Sequence, residues 1–272
     1  MNQEPILVTG ATGKTGSRIA LLLEARGFSV RRASRSFKPA FDWTQPETYP
    51  AALRGCRAAY ICYYPDYAFP GTTAALTAFT EAATRAGVEH LVMLVGRGEA
   101  HATKAETFVR RSGIPTTVLR SAWFAQNFSE GAMFQGVCDH VISMPGGEVR
   151  EPIVDLDDLC EVASRILVAV PGDRVLEITG PTALSFADMS EILSQELKRT
   201  IRHQPISFDE FYDALRSVTD ANYARIVTDI AQETFDGRNE ATSPDVELLL
   251  GRSPTDFATF ARRAVEAGAW SQ

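Results

Sequence analysis

Gly10, Gly13 and Gly16, at three-residue spacing, are the residues whose pattern speaks most directly of chemistry. They follow an apolar run, Pro5-Ile6-Leu7-Val8-Thr9, and precede a stretch, Ser17 to Arg26, with Ile19, Ala20, Leu22 and Leu23 at helical spacing. Glycine permits the tight turn, lets backbone approach a pyrophosphate and lets helix pack closely on strand. The helix start then offers unpaired N–H groups and a positive dipole end to phosphate. Gly10-Ala11-Thr12-Gly13-Lys14-Thr15-Gly16 therefore reads as a dinucleotide-binding turn, the alternative being a purely structural one. A Walker A loop is excluded, because two residues rather than four separate Gly10 from Gly13-Lys14-Thr15.

The end of the next strand, Phe28 to Ser34, selects the nucleotide. An NAD site usually places Asp or Glu there to accept from the ribose 2′-hydroxyl. Here Arg31-Arg32-Ala33-Ser34-Arg35-Ser36 contains no acid. A guanidinium pairs bidentately with a 2′-phosphate, which a carboxylate would repel. The expected cofactor is NADP(H), with Arg35 as main contact and Ser34 or Lys38 assisting; the competing reading is a solvated basic loop.

Other chemistry-bearing types are sparse. His90, His101, His140 and His203 have no i,i+3 or i,i+4 partner, so no metal site is expected. Cys56, Cys62, Cys138 and Cys160 form no C-x-x-C pair and read as core thiols, although two disulfides are formally possible.

The elements that must position these residues alternate. Strands at 57–64, 90–95, 116–119 and 175–178 are interleaved with helices at 72–86, 103–112 and 156–168, and Gly27, Gly87 and Gly113 act as helix stops. That order predicts an α/β fold: a Rossmann-type, doubly wound parallel sheet with a smaller, mainly helical C-terminal substrate lobe. Residues 1–180 are expected to form the NADP-binding domain and 181–272 the smaller lobe, with 131–150 contributing to the lobe. In that lobe Ser185/Asp188 and Ser207/Glu210 are capping-box patterns, and Ser253-Pro254-Thr255-Asp256 reads as a helix start with Pro in the first position.

Composition sets limits. Of 272 residues, 45% are hydrophobic and 22% charged, as in a globular chain. A net charge of −7 argues against nucleic-acid binding. No apolar run approaches a bilayer span, and the opening Met-Asn-Gln-Glu-Pro has no leader pattern, so no membrane partner and a cytoplasmic location are expected. Oligomeric state is not readable.

Val8-Thr9-Gly10-Ala11-Thr12-Gly13-Lys14-Thr15-Gly16 resembles the opening of the NmrA-like group of atypical short-chain dehydrogenases/reductases. Phe41-Asp42-Trp43 matches the position that covers adenine in that group. The segment Thr117 to Phe128, ending Phe124-Ala125-Gln126-Asn127-Phe128, is similar to its "F-x-x-N" segment, and Gly251-Arg252-Ser253-Pro254-Thr255-Asp256-Phe257 to its "G-R-x-P-x-x-F" segment. Within the group, Trp123-Phe124 and Asn127-Phe128-Ser129-Glu130 look most like the imine reductases of ergot-alkaloid formation. The resemblance implies one NADP(H) pocket between a Rossmann lobe and a smaller lobe. It places Tyr63, Tyr64 and Pro65, after the family's fourth strand, along the cofactor's middle, with Gly96 also at the site. Lys104 is placed by the nicotinamide ribose, and Ser121, Ala122 and Phe124 against nicotinamide and substrate.

The chain departs from ordinary short-chain dehydrogenases in lacking Tyr-x-x-x-Lys: Gly10, Ser34, Ala100 and Ser194 stand four positions before the four lysines. The strand before Gly96 ends Val95-Gly96-Arg97 and so also lacks the hydroxyl common there. Proton donors must come from Tyr64, His101 or Lys104, with Tyr63 also considered, or the acceptor must be electrophilic enough to need little help. Tyr60, Tyr63, Tyr64, Tyr67, Phe69, Trp123, Phe124, Phe128 and Phe134 gather near predicted strand ends. They read either as the lining for an aromatic or polycyclic substrate or as contact between lobes. The expected function is NADPH-dependent reduction of a bulky conjugated or imine-bearing molecule, such as a quinone or a natural-product intermediate of secondary metabolism. The alternatives are an NADP(H)-sensing regulator without turnover and a non-redox isomerase or cyclase on the same fold.

Overall fold

The computed structural model describes residues 4–271. Met1-Asn2-Gln3, on which the expectation of no leader rests in part, lie outside the described residues. In chain order the elements begin with β1 (Ile6–Thr9), α1 (Lys14–Ala25), β2 (Val30–Ala33), α2 (Tyr49–Leu53), β3 (Ala58–Ile61) and α3 (Thr72–Ala86). They continue with β4 (His90–Gly96), α4 (Ala100–Arg110), β5 (Thr116–Ser121), α5 (Asn127–Glu130), α6 (Phe134–Cys138) and β6 (Val141–Met144). The rest are α7 (Leu156–Val168), β7 (Arg174–Ile178), α8 (Phe186–Leu197), β8 (Arg202–Pro205), α9 (Phe208–Arg216), α10 (Ala221–Thr234), α11 (Asp245–Leu250) and α12 (Phe257–Glu266).

Six strands form one sheet in the order β2-β1-β3-β4-β5-β7. The pairs from β2 through β5 are parallel, with Val8 opposite both Arg32 and Tyr60. Every residue of β1 and β3 is buried, as a parallel sheet covered on both faces requires. The order turns at β1, where β2 lies on one side and β3 on the other; ligands bind beyond the strand ends at such a switch point. Tyr63, Tyr64 and Pro65 follow the third strand of this chain, β3, rather than a fourth. Residues 37–48 pass as loop and a 3-10 turn, broken by Pro39 and Pro46 and anchored by the inward rings of Phe41 and Trp43.

By contact the chain divides into two units. The first comprises the residues up to Gly96, Ala100–Ser121 and Leu159–Glu177; the second comprises Arg97–Glu99, Ala122–Asp158 and the residues from Ile178 on. The first unit's core joins strand residues Leu7, Ile61, Met93 and Val118 to Leu76, Phe79 and Val109 from the helices. The second unit's core joins Phe128, Ile142, Met189, Leu193, Phe257 and Phe260, and Trp270 Nε1 donates to the Phe128 carbonyl at 2.9 Å.

Features that depend only on neighbouring residues follow the sequence pattern. Gly27, Gly87 and Gly113 all have positive φ at helix ends. Ser185 and Ser207 each form a reciprocal capping box, with Asp188 and Glu210. Pro254, however, does not start a helix. Thr255 N–H is bonded to the Asp158 carboxylate, and α12 begins later, capped by Asp256, which accepts from Thr259 N–H at 2.7 Å. A second sheet, β6 paired in parallel with β8, has no counterpart in the sequence pattern, since Arg202-His203-Gln204-Pro205 carries no apolar alternation. Among the described residues no helix is long and apolar enough to cross a membrane, and all four cysteines are free.

Candidate functional site

The first unit builds the glycine turn from backbone constraints. Thr9, the last residue of β1, donates its hydroxyl to the Tyr60 carbonyl at 2.9 Å and accepts from Cys62 N–H at 2.9 Å, locking the ends of β1 and β3 together. Gly10 turns the chain at φ +61°, a region that side chains disfavour. Its carbonyl accepts from Gly13 N–H at 2.8 Å, and Ala11 N–H reaches Ala33 O on β2 at 3.3 Å. A Cβ on Gly16 would overlap the Gly10 carbonyl, so only glycine lets α1 come so close. Thr12 is exposed, Lys14 is half-buried, and buried Thr15 directs its hydroxyl to Cys62 Sγ at 3.9 Å.

Helix α1 starts at Gly13 in extended backbone, with no side-chain cap and no acid in its first turn. With no side-chain cap and no acid of its own first turn, its N-terminal amides and positive dipole end are suited to a phosphate.

Beyond β2 the three arginines separate by partner. Arg31 donates to the carbonyls of Ala52 and Arg54. Arg32 grips the Glu24 carboxylate with two bonds, at 3.0 and 2.8 Å. Arg35 is exposed, and among the described residues its side chain has no hydrogen-bond or ion-pair partner. Ser34 Oγ lies 2.9 Å from Ser36 Oγ. Asp42 accepts from Thr44 N–H and Oγ1; the backbone bond chiefly holds its carboxyl below the ordinary range, and the Arg35 charge adds to this. Trp43 is 8% exposed, packed on Phe41, Tyr49, Phe79 and Tyr63, with Nε1 donating to Cys62 O at 3.1 Å. Packing thus leaves little of its ring to cover an adenine.

At the exit of β3, Tyr63 stacks on Tyr67 with ring centroids 5.6 Å apart, while Tyr64 is 74% exposed and Pro65 is exposed. Of the paired tyrosines, Tyr64 is the one left open. Asp66 follows, half-buried; burial pushes its carboxyl up, opposed by Ala68 N–H and by the charge of His101. His101 and Lys104 are exposed one turn apart on α4. Gly96 ends β4 opposite Ser121 of β5. The glycine turn, Ser34, Arg35, Asp42, Trp43, Tyr63 to Pro65, Gly96, His101, Lys104 and Ser121 all belong to the first unit.

Ala122 and Phe124 belong to the second unit: Ala122 N–H donates to Ile178 O at 2.9 Å, and Phe124 bridges Val154. Of the aromatic set, Tyr60, Tyr67 and Phe128 are core residues, and Trp123 and Phe134 pack on the second unit's core.

Two carboxyl groups carry little or no sequence signal. Asp66 has one faint sign, its place just past a strand end beside Tyr64-Pro65. Glu151 has none: it is 2% exposed, neither carboxylate oxygen has a partner, and burial pushes its carboxyl up to about 8.

No family model matches the chain. Among curated proteins it is 30% identical to the uncharacterized oxidoreductase YesF of Bacillus subtilis, covering 100% of this chain and 98% of the relative. It is 27% identical to festuclavine dehydrogenase easG of Aspergillus fumigatus, covering 95% and 97%. Among solved structures it matches the Citrobacter triphenylmethane reductase complexed with NADP(H), with TM-score 0.75, 22% identity and coverage of 96% and 99%. It also matches NmrA, a negative transcriptional regulator, with TM-score 0.70, 14% identity and coverage of 98% and 97%. With a full-length oxidoreductase relative at 30% identity, and with the motif order and sheet described above, the chain belongs to the NmrA-like family of atypical short-chain dehydrogenases/reductases, as an oxidoreductase of that type.

Proposed function

We propose that this protein is an NADPH-dependent reductase acting on a bulky, conjugated or imine-bearing small molecule. The observation that carries the cofactor reading is the division of the three arginines: Arg31 and Arg32 are spent on carbonyls and on Glu24, while Arg35 is free for a 2′-phosphate. A diphosphate fits the uncapped start of α1, which Gly16 lets pack against the turn after β1. The NADP(H) complex of the triphenylmethane reductase supports the same reading.

When bound, the cofactor supplies a hydride. This chain's part is to hold and orient it, through Gly10 to Gly16 at the diphosphate and Ser34 and Arg35 at the adenosine phosphate. Within the first unit, Tyr63, Tyr64 and Pro65 serve the cofactor's middle, and Lys104 and Ser121 its reacting end. Proximity then accounts for several kcal/mol of any barrier lowering. Without Tyr-x-x-x-Lys, a proton must come from an exposed donor of the site. Histidine is the side chain whose ordinary titration range suits that work, and His101 lies near enough to Asp66 for its charge to act there; Tyr64 and Lys104 are the other donors. An iminium carbon, a quinone or a cationic dye requires the least proton assistance. The Citrobacter structure is named a triphenylmethane reductase, and the Aspergillus fumigatus relative a festuclavine dehydrogenase.

The test is NADPH oxidation in the presence of quinones, cyclic imines and triarylmethane dyes. Turnover with at least one class is expected. Tight NADP(H) binding with no turnover on any would instead favour the sensor reading that the likeness to NmrA suggests, and product formed without NADPH consumption would favour an isomerase or cyclase.

A further inference from the structure

An open surface cleft of about 590 Å³ lies on the second unit, at the corner where the end of α8 meets β8. That is within the roughly 300–1,000 Å³ of small-molecule sites. The corner is built, not loose. Ser194 Oγ donates to the carbonyls of Ser190, at 2.7 Å, and Ile201, at 3.0 Å, and accepts from Ile201 N–H at 2.8 Å. Lys198 ends α8 in the left-handed region, at φ 54°. On the β8 side His203 Nε2 sits 3.0 Å from Met144 O, with its ring on Phe186.

Two residues lining this cleft each carry one buried polar atom with no hydrogen-bond partner. Ser190 is 2% exposed with an unbonded hydroxyl. Arg199 has its guanidinium aligned by the Nη2 bond to Val137 O at 3.3 Å, yet its buried Nε is unbonded. A buried donor left unpaired carries its desolvation cost with no return, so each is a place where a bound acceptor would be rewarded. The lining cations are Lys198, Arg199 and Arg202, against one acid, Glu191, a local balance of +2 in a chain whose net charge is −7. The negative end of the α8 dipole, about half a charge, reduces that surplus without reversing it.

We propose that this corner binds the phosphoryl group of a small phosphomonoester, with Arg199 and Arg202 as charged donors and the Ser190 hydroxyl as a neutral one. A phosphomonoester carries about −1.5 to −2 near neutral pH, which matches the local surplus better than a carboxylate does. This site is separate from the glycine turn and does not rest on the cofactor assignment.

The test is calorimetric titration of the full chain with inorganic phosphate and with glycerol 3-phosphate, at constant ionic strength with chloride as the blank. Saturable binding is expected, weakened at least ~10-fold by Arg199→Gln and by Arg202→Gln and a few-fold by Ser190→Ala. Arg202 is exposed, so its variant tests the site even where Arg199→Gln disturbs folding. Absence of saturable binding overturns the proposal. So does binding that is lost in Arg35→Gln and kept in the other variants, which would place the phosphate at the glycine turn. Binding to phosphatidic-acid vesicles without binding to either soluble phosphate overturns it too, in favour of a lipid surface.

Discussion

Helix α1 of the first unit and helices α8, α9, α10 and α12 of the second begin in opposite ways. Ser185, Ser207, Asp220 and Asp256 each turn a side-chain oxygen back onto the first amides of their helix, and two of these starts are closed further by Asp188 and Glu210. Gly13 offers α1 nothing of the kind. A capping side chain stabilises a helix by about 1 kcal/mol, so the glycine start forgoes that stability. What is gained is a set of amides and a dipole end left for an anion from outside. In this chain the capped helix starts serve architecture; α3, begun at Gly71, is uncapped too, and it is the uncapped start set on the glycine turn after β1, that of α1, which reads as the anion site.

The hardest way to break this contrast is to fill the open turn. Gly16→Ala places a Cβ against the Gly10 carbonyl, which is fixed by Gly13 N–H and by the strand before it. The helix must shift away, and the amides lose their common focus. NADPH affinity, followed by fluorescence titration, is expected to fall ~100-fold or more, corresponding to about 2.7 kcal/mol or more. Undiminished affinity would mean that the phosphate is not held at α1.

The two units also differ in their buried titratable groups. In the first, burial and the charges of Arg174 and Arg57 push His90 down to about 4, with Nε2 3.0 Å from Thr117 Oγ1. A depressed histidine binds protons more readily unfolded, so its contribution to stability is lost as pH falls from its ordinary 6.5 toward 4. In the second, Glu151 is pushed from 4.5 up to about 8, so the folded state holds the proton longer. Stability is then full below about 4.5, declines as pH rises toward about 8, and levels beyond. A tenfold difference in proton affinity between the folded and unfolded chain corresponds to on the order of 1.4 kcal/mol, an upper bound since the site can relax. Glu151→Gln is expected to flatten the alkaline side of a urea-midpoint profile and leave the acid side, set by His90, in place. An unchanged alkaline limb would show that Glu151 is ionised in the folded protein.

The glycine turn is legible in the sequence because everything it requires lies within ten residues: an apolar run, the spacing and a helical pattern. The capping boxes are legible for the same reason. Arg35 is legible as a cation following a strand, but its freedom is not, since the Glu24 and Ala52 groups that occupy Arg32 and Arg31 come from other elements. Trp43 looks like an adenine cover from its motif, and its burial beneath Phe79 and Tyr63 is a tertiary fact. Glu151 reads in sequence as an ordinary charged residue. Its backbone pairing with Leu184 draws it inside, and no local pattern announces that.

Arg35→Gln sharpens the division among the arginines. Charge-assisted bonds are worth about 1.5–3 kcal/mol, so NADPH affinity should fall ~10- to 100-fold while NADH affinity holds. Arg32→Gln is the control: its guanidinium belongs to Glu24, and it should leave the NADPH-to-NADH ratio unchanged. Equal losses of both cofactors in Arg35→Gln would remove the 2′-phosphate from the account.

The smallest effect tests the closed side. Ser185 accepts from Asp188 N–H at 3.1 Å, and its own N–H donates to the Asp188 carboxylate at 2.9 Å; that bond chiefly holds Asp188 below the ordinary carboxylate range. Ser185→Ala removes one bond of this reciprocal pair and leaves the other, along with the Arg150–Asp188 contact at 2.7 Å. A loss of about 1 kcal/mol is expected in denaturant unfolding, with NADPH affinity unchanged. If affinity fell along with stability, closed helix starts of the second unit would share in cofactor binding, and the separation of architecture from function drawn from the caps would fail.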